Sequence, residues 1–142
     1  MKFKKAGIGE VFICRLDYDS DLHESIEKFV RKHKIKIAMF WAIGALRKAR
    51  ISFYDQEKKA YQDLAVDKTV EIVSCIGNIT GFEGHPSIHA HISLADNKGK
   101  SYGGHLIRGC IIFSTELFII ELEGLYLERH YDPITGLNLL NL

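Results

Sequence analysis

Two short strings, His89-Ala90-His91 and Gly103-Gly104-His105, hold the residues of this chain best suited to chemistry. In a β-strand, residues two apart project from one face, so an extended His89-Ala90-His91 makes its two imidazoles co-facial. Between them and His105 lies Asp96-Asn97-Lys98-Gly99-Lys100, a run with the turn chemistry of a β-hairpin. With the turn near residues 97–99, opposed residues have numbers summing to about 194 or 196. Either register sets His105 on the face of the other two, opposite His89 or opposite His91. Cross-strand neighbours have Cβ atoms roughly 4.5–5.5 Å apart, so three imidazoles would converge.

That convergence is what a metal ion with nitrogen ligands at roughly 2.0–2.1 Å requires. Three protein nitrogens leave at least one coordination position for water, a carboxylate or a substrate. This is the pattern of a catalytic or ligand-exchanging zinc site more than of a closed structural one. Imidazole also suits copper, iron and nickel, and zinc is the default expectation. Gly103 and Gly104 remove side chains that would hinder close approach beside His105. The competing account is three ordinary sheet histidines, partly exposed and hydrogen-bonded. A co-facial pair with a third opposite it favours the metal.

Other reactive residues lack such company. His85 and Glu83 are candidates for a fourth ligand or an outer partner. His23 and His33 are expected to be solvated on a helix, and His130 to be structural. Ser87 has no nucleophile elbow around it and no Asp placed to orient a base. Cys110 sits in an apolar run, as a buried small residue does. Glu121 and Glu123 are spaced to share a strand face, as a solvated edge, a subunit salt bridge or a proton acceptor. The cluster Arg47-Lys48-Ala49-Arg50 reads as a charged turn, with a phosphate contact as the alternative. Gly7-Ile8-Gly9 precedes a strand and has no phosphate-loop pattern.

The elements that must position these groups follow from periodicity. Glu10–Leu16 reads as a strand. Asp17–Asp21 supplies capping groups for a helix over about Ser20–His33, with apolar Leu22, Ile26, Phe29 and Val30 on one face. Glu24 with Lys28, and Glu27 with Arg31, form i, i+4 pairs opposite. Ile37–Leu46 is almost uninterrupted apolar sequence, either covered on both faces or lying in a subunit contact. Strands are expected over Ile51–Tyr54, Val70–Ile79, Ile88–Leu94, Tyr102–Ile107, Ile111–Leu122 and Leu125–Tyr131. One helix followed by strands in short succession predicts an α+β domain with a mainly antiparallel sheet. It leaves no room for a doubly wound nucleotide-binding fold.

The chain has 142 residues, of which 46% are hydrophobic and 26% charged, so one globular domain over residues 1–142 is expected. Lys and Arg total 19 against 18 Asp and Glu, a balance that argues against a dedicated nucleic-acid binder. No stretch reaches the roughly 20 apolar residues of a membrane span. The start, Met1-Lys2-Phe3-Lys4-Lys5, lacks a signal-peptide core. Cys14, Cys75 and Cys110 are widely spaced in apolar runs, as free thiols in a reducing compartment are. A cytoplasmic protein is expected.

Val70–Ser74 through Gly77-Asn78-Ile79, His89–Asp96 and Gly103–Leu106 together resemble the plants-and-prokaryotes conserved (PPC) domain. Ala42-Ile43-Gly44-Ala45-Leu46 and Tyr131-Asp132-Pro133-Ile134-Thr135-Gly136 are similar to prokaryotic members. The resemblance implies a compact α+β fold assembled as a homotrimer, which would give Ile37–Leu46 a place in the core or at a subunit contact. It also implies a bound metal on His89, His91 and His105. In plants the domain follows AT-hook segments of nuclear DNA-binding proteins. An AT-hook needs an Arg-Gly-Arg core, whereas here Arg108-Gly109 is followed by Cys110. The leading expectation is a trimeric, zinc-binding, ligand-binding or regulatory module. The alternatives are a metal-dependent hydrolase or lyase working near Glu83 or His85, and a DNA-associated protein using Arg47, Lys48 and Arg50.

Overall fold

The computed structural model describes residues 1–142 and contains one helix and nine strands. In chain order these are β1 (Gly7–Leu16), α1 (Leu22–His33), β2 (Ala38–Asp55), β3 (Ala60–Val66), β4 (Val70–Phe82), β5 (His85–Ala95), β6 (Ser101–Leu106), β7 (Ile111–Glu123), β8 (Arg129–Asp132) and β9 (Leu137–Leu140). All strand pairs are antiparallel, as expected. The main sheet runs β1-β7-β2-β4-β5-β6, with β3 on the far half of β2. β6 returns to β2 through Ile51–Leu106 and Ser52–His105. Strands β2, β4, β5 and β6 therefore close on themselves. No helix is long and apolar enough to cross a membrane.

Helix α1 starts where the capping residues place it. Asp21 accepts a hydrogen bond from the Glu24 N–H at 2.9 Å, satisfying one of the free donors of the first turn. Its other oxygen accepts from the Gly109 N–H at 2.6 Å, tying the helix start to the segment before β7. Leu22, Ile26 and Val30 are fully buried against the inner face of the sheet. The pairs Glu24–Lys28 and Glu27–Arg31 form on the opposite side. Lys34 ends the helix in the left-handed conformation at φ 57°.

Strand β2 corrects the sequence reading. Arg47-Lys48-Ala49-Arg50 is not a turn, because Ala38–Asp55 is one uninterrupted strand. Ala49 is buried and paired with Val66, while Arg47, Lys48 and Arg50 are exposed. Charged side chains on the solvent side of a strand read as a turn only when the buried residue between them goes unnoticed. The strand bends at Gly44, whose φ is 143°, and an added Cβ there would lie 2.1 Å from the Ser114 carbonyl oxygen. Only glycine fits. Strand β3, absent from the sequence reading, is exposed except at Val66, so it has no apolar face to betray it. The expected strand over Leu125–Tyr131 is shorter, Arg129–Asp132, and forms a separate hairpin with β9.

Within Ile37–Leu46, alternate residues part company. Ala38, Phe40 and Ala42 are buried in the core. Met39, Trp41 and Ile43 face outward and are exposed. Trp41 stacks on Phe118 of the adjacent strand at 5.4 Å between ring centroids. Phe40 is wholly buried and lies against Gly77 and Ala90, beneath the strand pair that carries His89. Phe40→Ala should destabilise the fold by about 3–5 kcal/mol, since the cavity sits between paired strands that cannot collapse. Urea unfolding measures it, and a loss below about 1 kcal/mol would contradict this packing.

Candidate metal centre

The hairpin β5–β6 adopts the 196 register. His91 pairs with His105, Ser93 with Gly103 and Ala95 with Ser101. The turn is held by one carboxylate. Asp96 accepts hydrogen bonds from the Lys98 and Lys100 N–H groups at 2.9 and 3.0 Å and from Lys68 Nζ at 2.6 Å. The Lys68 ammonium first, and the backbone donors after it, draw the Asp96 carboxyl down to about 2. On the other side of β5, His89 pairs with Asn78 and His91 with Ile76 of β4.

This register brings His89, His91 and His105 together on the outer face. Each offers one nitrogen, and the three lie within 4.8 Å of one another. Ring centroids are 5.3 Å apart for His89–His91 and His89–His105, and 5.8 Å for His91–His105. Two ligands of a tetrahedral zinc stand about 3.4 Å apart, given bonds of 2.0–2.1 Å. Modest rotation of the rings covers the difference. His105 Nδ1 is also buried without a hydrogen-bond partner, a cost that coordination at that nitrogen would remove. Donor type, spacing and the unpartnered nitrogen all fit a divalent ion.

The electrostatics favour neutral rings. Burial lowers the His105 pKa to about 4, and nearby His89, His91, His23 and Arg129 push the same way. His89 is lowered by burial and then by Arg129 and His91. Neutral imidazole is the form that binds metal, and His105 keeps that form down to about 4.

Glu83 and His85 do not join the group. His85 lines a different cavity with Lys34 and Lys36. Glu121 and Glu123 are on β7, outside the cluster. His23 is not solvated: it is half-buried, with Nδ1 unpartnered, and burial lowers its pKa. His33 is exposed and stacks on Phe29. Gly104 has a different reason from the one expected. An added Cβ would lie 2.7 Å from the Ser52 carbonyl oxygen, so this glycine admits strand β2 and not the ion.

Sequence reasoning missed Arg129. Its Nε donates to Thr80 Oγ1 at 3.1 Å and its Nη2 to Asn78 Oδ1 at 2.8 Å, which sets the guanidinium beside His89. Tyr61, on the unforeseen strand β3, has its ring 5.3 Å from that of His105. Neither belongs to a local motif.

A pH dependence follows for the metal-free protein. The unfolded chain protonates His105 near 6.5, the folded chain only near 4. Between these values the unfolded state binds more protons, so stability falls as pH drops from 6.5 towards 4. Denaturant midpoints across that range should show the decline, and His105→Asn should flatten it.

The profile of the Plants and Prokaryotes Conserved (PCC) domain family matches residues 3–123. The fold is similar to that of a metal-containing protein from Archaeoglobus fulgidus, 39% identical, with a TM-score of 0.95 and both chains fully covered. A plant- and prokaryote-conserved protein from Pyrococcus horikoshii is 32% identical, with a TM-score of 0.93, over 100% of this chain and 98% of that one. A candidate DNA-binding protein from Ralstonia eutropha is 28% identical, with a TM-score of 0.82, over 92% and 90% of the two chains. A bifunctional protein GlmU from Synechococcus sp. is 29% identical over 128 residues, or 89% of this chain, which spans only 19% of that protein's length. With a family match running from Phe3 to Glu123, the chain belongs to the Plants and Prokaryotes Conserved domain family.

Proposed function

We propose that this chain is the protomer of a trimeric metal-binding module, which holds zinc on His89, His91 and His105 and binds a small ligand at the open side of the ion. The observation that carries the reading is the cluster of three nitrogens within 4.8 Å. Its donor set leaves a coordination position free for exchange. The 39% identical Archaeoglobus protein is described as metal-containing, which supports the same chemistry here. Free Cys14, Cys75 and Cys110 accord with a reducing, cytoplasmic setting. A hydrolase or lyase has less support, because no carboxylate joins the histidine group to act as a base.

Self-association is supported by the outer face of the sheet. Val11, Ile120 and Met39 lie in register across β1, β7 and β2, and Ile13, Phe118 and Trp41 lie beside them. Val11, Ile13, Met39, Trp41, Ile43 and Ile76 are exposed there. A contiguous apolar patch of this kind marks a protein contact, and it runs directly to the strand that carries His91.

DNA association is the second reading, favoured by the description of the Ralstonia neighbour and by exposed Arg47, Lys48 and Arg50. The near-balanced charge and the Arg47–Asp19 ion pair weaken it.

Untagged protein should carry about one metal ion per chain by elemental analysis, given the single three-histidine group. His89→Ala, His91→Ala and His105→Ala should each release it; under about a tenth of an ion after zinc reconstitution would remove the metal. Light scattering should give three times the 16.2 kDa protomer mass, and Trp41→Asp should shift it to one. A DNA partner predicts a mobility shift with duplex at low salt that fades as salt rises. No shift at low salt eliminates that reading.

A further inference from the structure

Beside the histidines lies a cavity of about 300 Å³, bounded by His89, His105, Tyr61 and Arg129 and by Leu137 and Leu139 of β9. Arg129 opens β8, a strand fastened to the end of β4. The Gly81 N–H donates to the Leu127 carbonyl at 2.9 Å, and Glu128 bridges to Gly81. The half-buried guanidinium donates to Thr80 Oγ1, to Asn78 Oδ1 and, through Nη1 at 3.0 Å, to the Asn138 carbonyl. All three acceptors are uncharged. No carboxylate pairs with Arg129.

A guanidinium carries five N–H donors in a fixed fork. Three are used here to set its plane, and two remain for another partner. A partly buried cation without a counter-ion is costly. A divalent ion on neutral imidazoles would add two positive charges to that one. No Asp or Glu lines the cavity. The site therefore lacks a negative group that its own chain does not supply.

We propose that Arg129 recognises the carboxylate of a small organic acid, which reaches from the cavity to complete the coordination of the ion held by His89, His91 and His105. This rests on the metal reading given above. The planar fork matches a carboxylate in two-point contact. Leu137 and Leu139 suit a short hydrocarbon chain better than a bare phosphate, and the volume is at the small end of ligand pockets. Arg129 selects the ligand and is not itself a metal ligand.

The test uses cobalt-loaded full-length protein, whose visible absorption reports changes at the ion, titrated with 2-hydroxyisovalerate, its amide and inorganic phosphate. The acid should bind at least tenfold more tightly than the amide. Arg129→Gln should keep one cobalt per chain and lose at least tenfold in affinity for the acid. Where that variant fails to give a folded melting transition, Arg129→Lys, which keeps the charge without the fork, carries the same expectation. Equal binding of acid and amide overturns the proposal, as does undiminished acid binding by the cobalt-loaded variant. Phosphate binding tighter than the acid overturns the organic-acid class. A wild-type chain that takes up no cobalt sinks the metal reading itself, which separates the two failures.

Discussion

The turn at Asp96 governs the histidine site. Its carboxylate gathers two backbone N–H groups and the Lys68 ammonium, and this fixes where β5 ends and β6 begins. Side chains alternate faces along a strand, so a slip of one residue would send His105 to the core and a buried Leu106 outward. The histidine cluster thus depends on a carboxylate that never touches it. Gly104 adds a second lock, because β6 has to lie tight against the Ser52 carbonyl. Closure of β6 onto β2 then holds the hairpin from both sides.

The site's chemistry is that of a positive corner. Burial first, and neighbouring positive charge after it, lowers the pKa of both His89 and His105. Arg129, held by neutral oxygens, supplies permanent charge next to them. Neutral nitrogens beside a fixed cation make a poor proton site and a good place for an ion accompanied by an anion. The buried thiols add nothing reactive. Burial raises Cys75 to about 12 and Cys110 to about 11, and Cys110 spends its S–H on the Arg50 carbonyl.

What the sequence made legible was local and periodic. The His-x-His spacing, the turn chemistry of residues 96–100 and the apolar rhythm of α1 each act within a few residues, so the hairpin and the helix could be read directly, the hairpin's register only as one of two. Long-range closure was not legible. Nothing in Arg47–Arg50 announces that a strand continues through it, since what carries the strand on is pairing with distant segments, Lys48 with Ile111 and Ala49 with Val66. Strand β3 lies exposed and carries no alternation. Arg129 reaches His89 only because Leu127 and Glu128 dock on Gly81, a contact spanning almost fifty residues that no motif encodes. His23 deceived for a related reason: its place on the helix suggested water, whereas Nδ1 is covered.

The docking of β8 and β9 has a consequence for how such a molecule could diversify. The histidines stand on strands that close into the sheet, within residues 3–123 of the family match. The hairpin β8–β9 lies past that span and rests on β4 through a handful of bonds. Exchanging that hairpin would leave the ring nitrogens where they are while rewriting the wall opposite them. The histidine cluster and the wall that faces it are then separable inheritances, one built into the frame and the other hung upon its rim.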